Sequence, residues 1–242
     1  MDFFSIQGLT KQFGGLVACN NIDLVIKERE VIGLIGPNGA GKSTFFALIA
    51  GFYKPDAGKV SFLGEDITGK SPEEICQRGI ARTFQIVRPF SGMTVLENIL
   101  VGVFSREKNM KRARNRAEEV LTFTGLASRR NVLAGELTIA DKKRLELARA
   151  LATRPKMILL DEVMAGLNPK ETQEAVELIR AINEQGITLF VVEHVMEVIM
   201  PISERVVVLD GGNKIAEGPP EEVAKNPEVI KAYLGEKYHA AG

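Results

Sequence analysis

Residues 31–44 read VIGLIGPNGAGKST, an apolar run that passes through a glycine-rich turn into lysine, serine and threonine. No other stretch of the chain restricts its fold as much. Gly36 to Ser43 meet the pattern G-x-x-x-x-G-K-[ST] without a gap, and that pattern works only where a strand enters the turn and a helix leaves it. Gly36, Gly39 and Gly41 let the backbone wrap closely and aim successive N–H groups at oxyanions. The helix behind them adds the partial positive charge of its N-terminus. Lys42 is then placed to reach the β- and γ-phosphates of a nucleotide, and the Ser43 hydroxyl to ligate Mg²⁺. A strand, a cradle and a helix in that order predict an α/β core.

Composition supports a folded chain of moderate size. Of 242 residues, 45% are apolar, enough to fill a sizeable core. The 31 basic and 31 acidic residues balance, so net charge indicates no polyanion-binding surface. One segment, KRARNRAEEVLTF (111–123), is basic on its outer positions and reads as a solvated helix face rather than a nucleic-acid contact. Cys19 and Cys76 are too few for a disulfide framework or a metal cluster and fit a reducing, cytosolic setting. The opening MDFFSIQGLT lacks the basic region and long apolar core of a secretion signal. No apolar run approaches the roughly 20 residues that cross a bilayer. The longest, GITLFVVEHVMEVIM, is interrupted by Glu193, His194 and Glu197. Membrane contact is therefore expected only through a partner.

Strand-like stretches FFSIQGL, NIDLVI and EVIGLI lead into the glycine-rich turn, and STFFALIAGF follows as a short helix closed by Gly51. GKVSFLGEDI reads as a strand and turn. From about Ser71 to Glu136 the pattern is mostly helical, with MTVLENILVGVF and the basic segment as its main helices. After residue 137 the β–α alternation returns. KKRLELARALA reads as a helix, KMILLDE as a buried strand, and KETQEAVELIRAINEQG as an amphipathic helix with Ala175, Leu178, Ile179 and Ile182 on its apolar face and Gly186 as its stop. ITLFVVEH is a continuous apolar strand of the kind covered on both sides, and RVVVLDGGNKIAEG a hairpin turning at Gly-Gly.

A cradle binds nucleotide, and hydrolysis needs further groups. MILLDE ends an apolar strand in two adjacent acids. Asp161 is positioned to hold Mg²⁺ through water and Glu162 to polarise an attacking water. Gln85 in RTFQIVRPF and His194 in VVEH each follow a predicted core stretch, where a polar residue is ordinarily a cap or an exposed group.

In this order the motifs resemble the ATP-binding subunit of ATP-binding-cassette (ABC) transporters along nearly the whole chain. Gly36, Pro37, Asn38, Gly39, Ala40, Gly41, Lys42, Ser43 and Thr44 are similar to the Walker A loop, Phe13 to the aromatic that stacks on adenine, and Gln85 to the Q-loop glutamine near the metal. Asp161 and Glu162 are similar to the Walker B aspartate and catalytic glutamate, AGLNP (165–169) to the D-loop, and His194 to the switch histidine. The resemblance implies a P-loop core with an N-terminal antiparallel β subdomain and a helical subdomain inserted at about 86–150, all one domain over 1–242. It implies ATP and Mg²⁺ as ligands. Two such subunits would close head to tail over two ATP molecules and reopen on hydrolysis, driving two integral membrane permease subunits from the cytoplasmic face. A periplasmic or extracellular binding protein would take part indirectly, and nucleic acid not at all.

Three segments depart from the family pattern. The signature Leu-Ser-Gly-Gly-Gln reads LTIAD here, Leu137 to Asp141. Thr138 keeps a hydroxyl toward the phosphate of the opposite subunit, and the helix from Lys142 still offers its N-terminus. Ile139 and Ala140 replace glycines, at about 1–2 kcal/mol each if those positions need positive φ. Asp141 brings a charge near the nucleotide or caps the helix. Val163 stands where proline is usual, and Asn168 where aspartate is usual. Either LTIAD is a tolerated subfamily variation that shifts the backbone slightly, or it weakens the contact with the opposite ATP and leaves the productive site to a different subunit's signature.

Within the family, RTFQIVRPFSGMTVLENILVGV, AGLNPKE and the ending AYLGE are most similar to branched-chain amino acid importers, and to the first of the two ATPase subunits such systems carry. That subfamily also serves urea and short amides. The related ATPase for lipopolysaccharide extraction keeps the signature glycines. Soluble cassettes of translation or DNA repair usually join two cassettes or carry a long coiled coil. A low-turnover regulatory module is suggested by LTIAD alone.

Overall fold

A computed structural model describes residues 2–239, with side chains through Leu234. The span 1–242 read as one domain therefore begins and ends outside the described residues, and the side chain of Glu236 in AYLGE lies outside them too. In chain order the elements are β1 (Phe4–Phe13), β2 (Leu16–Ile26), β3 (Val31–Ile35), α1 (Lys42–Ile49), β4 (Ala57–Phe62), β5 (Glu65–Asp66), α2 (Pro72–Arg78) and β6 (Ile80–Arg82). There follow α3 (Val95–Phe104), α4 (Met110–Phe123), α5 (Ile139–Ala152), β7 (Met157–Asp161), α6 (Pro169–Glu184), β8 (Thr188–Val192), α7 (Met196–Ile199), β9 (Arg205–Asp210), β10 (Asn213–Gly218), α8 (Pro220–Val223) and α9 (Pro227–His239). They divide into two compact units, one running up to Ile75 and again from Thr188, the other from Cys76 to Ile187.

The first unit contains an antiparallel sheet ordered β2-β1-β4-β5. From Asn21 onward β2 alternates as period-2 patterning requires: Ile22, Leu24 and Ile26 are buried while Asn21, Asp23 and Val25 face out. That alternation sets the register against β1, where Phe4 lies opposite Ile26 and Ile6 opposite Leu24. A second run of strands, β10-β9-β3-β8, is parallel across β9, β3 and β8. All five residues of β3 and all five of β8 are buried, so neither strand has a polar face. Phe45 and Phe46 of α1 close on Phe190 of β8, ring centroids 6.2 and 4.9 Å away. The Gly211–Gly212 hairpin joins β9 to β10 as the sequence predicts.

In the second unit β6 pairs in parallel with β7, Arg82 opposite Leu159. Its helices start on side-chain caps. Thr94 and Glu97 form a capping box on α3, Asn109 caps α4, and Asn168 with Glu171 forms a capping box on α6 behind Pro169 at the first turn. Helix α3 lies against α5 through Gly102, where an added Cβ would come within 2.7 Å of the Arg149 carbonyl oxygen.

Several expectations need correction. The middle of the chain is less helical than its pattern suggests: β6 is a strand, and most of residues 83–93 have no regular structure. Helix α5 begins at Ile139 rather than Lys142, because the Thr138 hydroxyl accepts the Asp141 N–H and starts the helix one turn sooner. The buried stripe of α6 is Val176, Ile179 and Ile182, with Ala175 and Leu178 only part-buried on its flanks. Among the described residues no helix is long and apolar enough to cross a membrane.

Candidate nucleotide site

In the first unit, β3 runs into the 36–41 turn and α1 leaves it. The turn is built around two glycines that nothing else can replace. A Cβ at Gly36 (φ 149°) would lie 2.1 Å from the Leu209 carbonyl oxygen, and one at Gly41 (φ 100°) 2.1 Å from that of Ala18. Both positions combine a backbone region closed to bulky residues with contact against backbone that cannot yield. Gly41 is the N-cap of α1 and supplies no side-chain cap, and the helix N-terminus brings partial positive charge to the loop. Lys42 is buried, and its ammonium donates to the carbonyls of Gly36 and Pro37 at 2.6 and 2.8 Å. The loop thus curls around its own cation. Ser43 is exposed and Thr44 part-buried, while Ala40 is buried under the loop. A cradle that admits no Cβ, a cation at its centre and an uncapped helix end fit a polyphosphate.

Phe13 ends β1 and is exposed, with Tyr53 edge-on at 5.2 Å and the Lys11 ammonium 5.4 Å from its ring centre. It presents an open aromatic face suited to stacking. His194 lies two residues past the end of β8 and is exposed. Beneath the loop, burial pushes the Cys19 thiol up to about 12, so that it stays neutral and unreactive.

In the second unit, β7 delivers Asp161 and Glu162, both buried. Four consecutive residues, starting with the last of β6, are tied to them or to their surroundings. Arg82 Nη2 pairs with Asp161 Oδ2 at 2.9 Å, and Thr83 Oγ1 accepts the Asp161 N–H at 3.0 Å. The Phe84 N–H is held by the Glu146 carboxylate. Gln85 Nε2 donates to Glu162 Oε2 at 2.7 Å. Two of the sequence candidates, Gln85 and Glu162, are therefore in direct contact. Glu162 itself has φ +49°, uncommon for a residue with a side chain, and Lys143 Nζ donates to its carbonyl at 2.9 Å. Burial pushes the Glu146 carboxyl up to about 7, against the Phe84 N–H and the charges of Arg149 and Lys143, which pull it down.

The signature-like segment is the start of α5. Thr138 is its exposed N-cap, Ile139 is exposed, and Ile139 and Ala140 are not among the residues with positive φ. The strain expected of side chains there does not arise in this conformation. Asp141 does not cap the helix; it sits in the first turn, 3.7 Å from Arg129 Nε, where the helix dipole favours an anion. Asn168 serves as the cap of α6, a role that an aspartate would fill as well. Val163 is buried.

Sequence reasoning missed Arg82, Lys143 and Glu146. Lys143 and Glu146 share a helix face with buried Leu147 and Ala150 at i, i+3, i+4 and i+7, and two charges on an apolar face were the available signal. Arg82 ends a strand of three residues, too short to show a period.

Residues 19–165 match the family model for the ABC transporter. The chain belongs to the ABC transporter ATP-binding family. A second family model, for the branched-chain amino acid ATP-binding cassette transporter, matches residues 213–239 of this cassette. The cassette is 43% identical to the high-affinity branched-chain amino acid transport ATP-binding protein LivG of Salmonella typhimurium, over 96% of this chain and 97% of that one. It is 41% identical to BraF of Pseudomonas aeruginosa, with the same coverage. Among solved structures, the ADP conformation of MJ1267, an ATP-binding cassette of an ABC transporter, superposes with a TM-score of 0.88 at 33% identity, covering 97% of this chain and 99% of the other. A dimeric post-hydrolysis state of the cassette MJ0796, bound to ADP and Pi, superposes with a TM-score of 0.80 at 29% identity, covering 90% and 98%.

Proposed function

We propose that this cassette binds and hydrolyses ATP to power an importer of branched-chain amino acids, through ATP-driven closure and reopening of a dimer. The hydrogen bond between Gln85 and Glu162 carries the hydrolytic part of this reading, because it orients a buried carboxylate beside the Walker B aspartate. Likeness to LivG and BraF over nearly the full chain supports the cargo.

Each residue has an assigned role. Phe13 stacks on adenine. The backbone from Gly36 to Thr44 receives the phosphates, and the Lys42 ammonium leaves the Gly36 and Pro37 carbonyls for phosphate oxygens, a stronger charge-assisted bond. Ser43, Gln85 and Asp161 are the residues assigned to Mg²⁺, which supplies charge neutralisation at the phosphates. Glu162 polarises the attacking water, Gln85 fixes its carboxylate, and His194 supports the γ-phosphate. Thr138, at the start of α5, faces the nucleotide held by the opposite subunit.

The partner in the dimer is a second ATPase subunit, either a copy of this chain or a LivF-like mate. Two permeases are the membrane partners, served indirectly by a periplasmic or extracellular binding protein, and the cassette works peripherally on the cytoplasmic face. Exposed Phe84, Ile86 and Phe90 offer an apolar surface of the kind a permease loop covers.

Glu162→Gln tests this. It should abolish phosphate release while ATP shifts the protein to a dimer in sedimentation, since binding survives and cleavage does not. Wild-type turnover in that variant would reject Glu162 as the hydrolytic residue.

A further inference from the structure

The φ of Glu162 is +49°, a left-handed conformation that residues with a side chain rarely adopt, so surrounding groups must hold it in place. Two of those groups come from α5. Lys143, buried, donates to the Glu162 carbonyl at 2.9 Å. One turn further along, Glu146, also buried, accepts the Phe84 N–H. Phe84 directly precedes Gln85, whose amide holds the Glu162 carboxylate at 2.7 Å. Helix α5 therefore grips the glutamate twice, its backbone directly and its carboxylate through the 84–85 segment. The same helix starts at Thr138 in the signature-like segment.

We propose that Lys143 and Glu146 are positioning residues for the hydrolytic carboxylate, fixing it from the helix that carries the signature segment. This rests on the assignment of Glu162 as the group that polarises water. If the two charges served packing alone, apolar side chains would do the same at lower desolvation cost. What the charges add is direction, since each ends in a hydrogen bond to one particular backbone group. A helix is stiff along its axis, so a shift of Thr138 against the opposite subunit's nucleotide reaches both grips. Engagement of the signature at one site is thereby linked to the geometry of the water-polarising group in the same subunit.

The test uses the full chain, alone and with a second ATPase subunit. It follows turnover, ATP affinity at equilibrium, and amide hydrogen exchange at Phe84 and Gln85 without nucleotide. Lys143→Met should lower kcat about 10- to 100-fold, the scale of a misplaced catalytic group, with ATP affinity unchanged, and Lys143→Arg should recover most of it. Glu146→Leu should lower kcat and lose amide protection at Phe84, whereas Glu146→Gln keeps an acceptor and should retain most of both. Wild-type kcat in Lys143→Met, or wild-type kcat and protection in Glu146→Leu, overturns the proposal. If Lys143→Met does not fold, Glu146→Leu against Glu146→Gln decides alone. Glu162→Gln run alongside separates the two failures: full turnover there rejects the role of Glu162, whereas lost turnover there beside normal Lys143→Met rejects only the positioning.

Discussion

Lys42 shows most directly how one residue carries the binding chemistry. It is buried in a loop of its own making, and its ammonium is satisfied by the Gly36 and Pro37 carbonyls rather than stranded. Losing the side chain removes charge-assisted contacts to phosphate worth about 1.5–3 kcal/mol, so Lys42→Ala should weaken ATP binding about 10- to 100-fold. Equilibrium titration with a fluorescent ATP analogue would show this, and tight binding in the variant would argue against the cradle. The motif made Lys42, Asp161 and Glu162 legible because backbone chemistry dictates their spacing. Arg82 and Glu146 were not legible, because they meet Asp161 and the Phe84 N–H only after distant segments are brought together.

Helix α5 is the element on which most of the second unit's chemistry converges. Its N-cap, Thr138, accepts the Asp141 N–H at 3.1 Å. Thr138→Ala should cost about 1 kcal/mol of stability, read as a lower midpoint in denaturant unfolding, while Thr138→Asn should restore it. Glu146, on the same helix, gives the stability a pH dependence of definite sign. Its carboxyl is raised from 4.5 to about 7, so the folded chain holds the proton more tightly than the unfolded chain. The resulting stabilisation is fully present below about 4.5 and is lost as pH rises through about 7. In Glu146→Gln that dependence, roughly 3 kcal/mol in total, should vanish from unfolding curves measured across the range. The extent of α5 shows where element-level reading fails. Apolar periodicity placed its start at Lys142, whereas one capping hydroxyl started it at Ile139.

For the whole molecule, the signature segment bears on which subunit faces the nucleotide. Ile139 and Ala140 sit in α5 without positive φ, so backbone strain gives no reason for this signature to fail. A bulky exposed Ile139 in place of glycine still alters the surface a phosphate would meet. The expected outcome is higher ATP turnover when the purified chain is mixed with a second ATPase subunit than for the chain alone. Equal rates per site would show that LTIAD serves a homodimer fully.

Sequence by itself determined the local chemistry of this protein. It specified a phosphate loop between strand and helix, a buried strand ending in two acids, and a hairpin turned by two glycines, all features set by residues close together in the chain. Tertiary structure alone decided which groups hold which. The Gln85–Glu162 bond, the Arg82–Asp161 pair and the two grips from α5 join residues 62 to 79 positions apart or 19 apart across a turn. No local pattern encodes such contacts, because their partners are chosen by the packing of helix and strand and not by spacing along the chain.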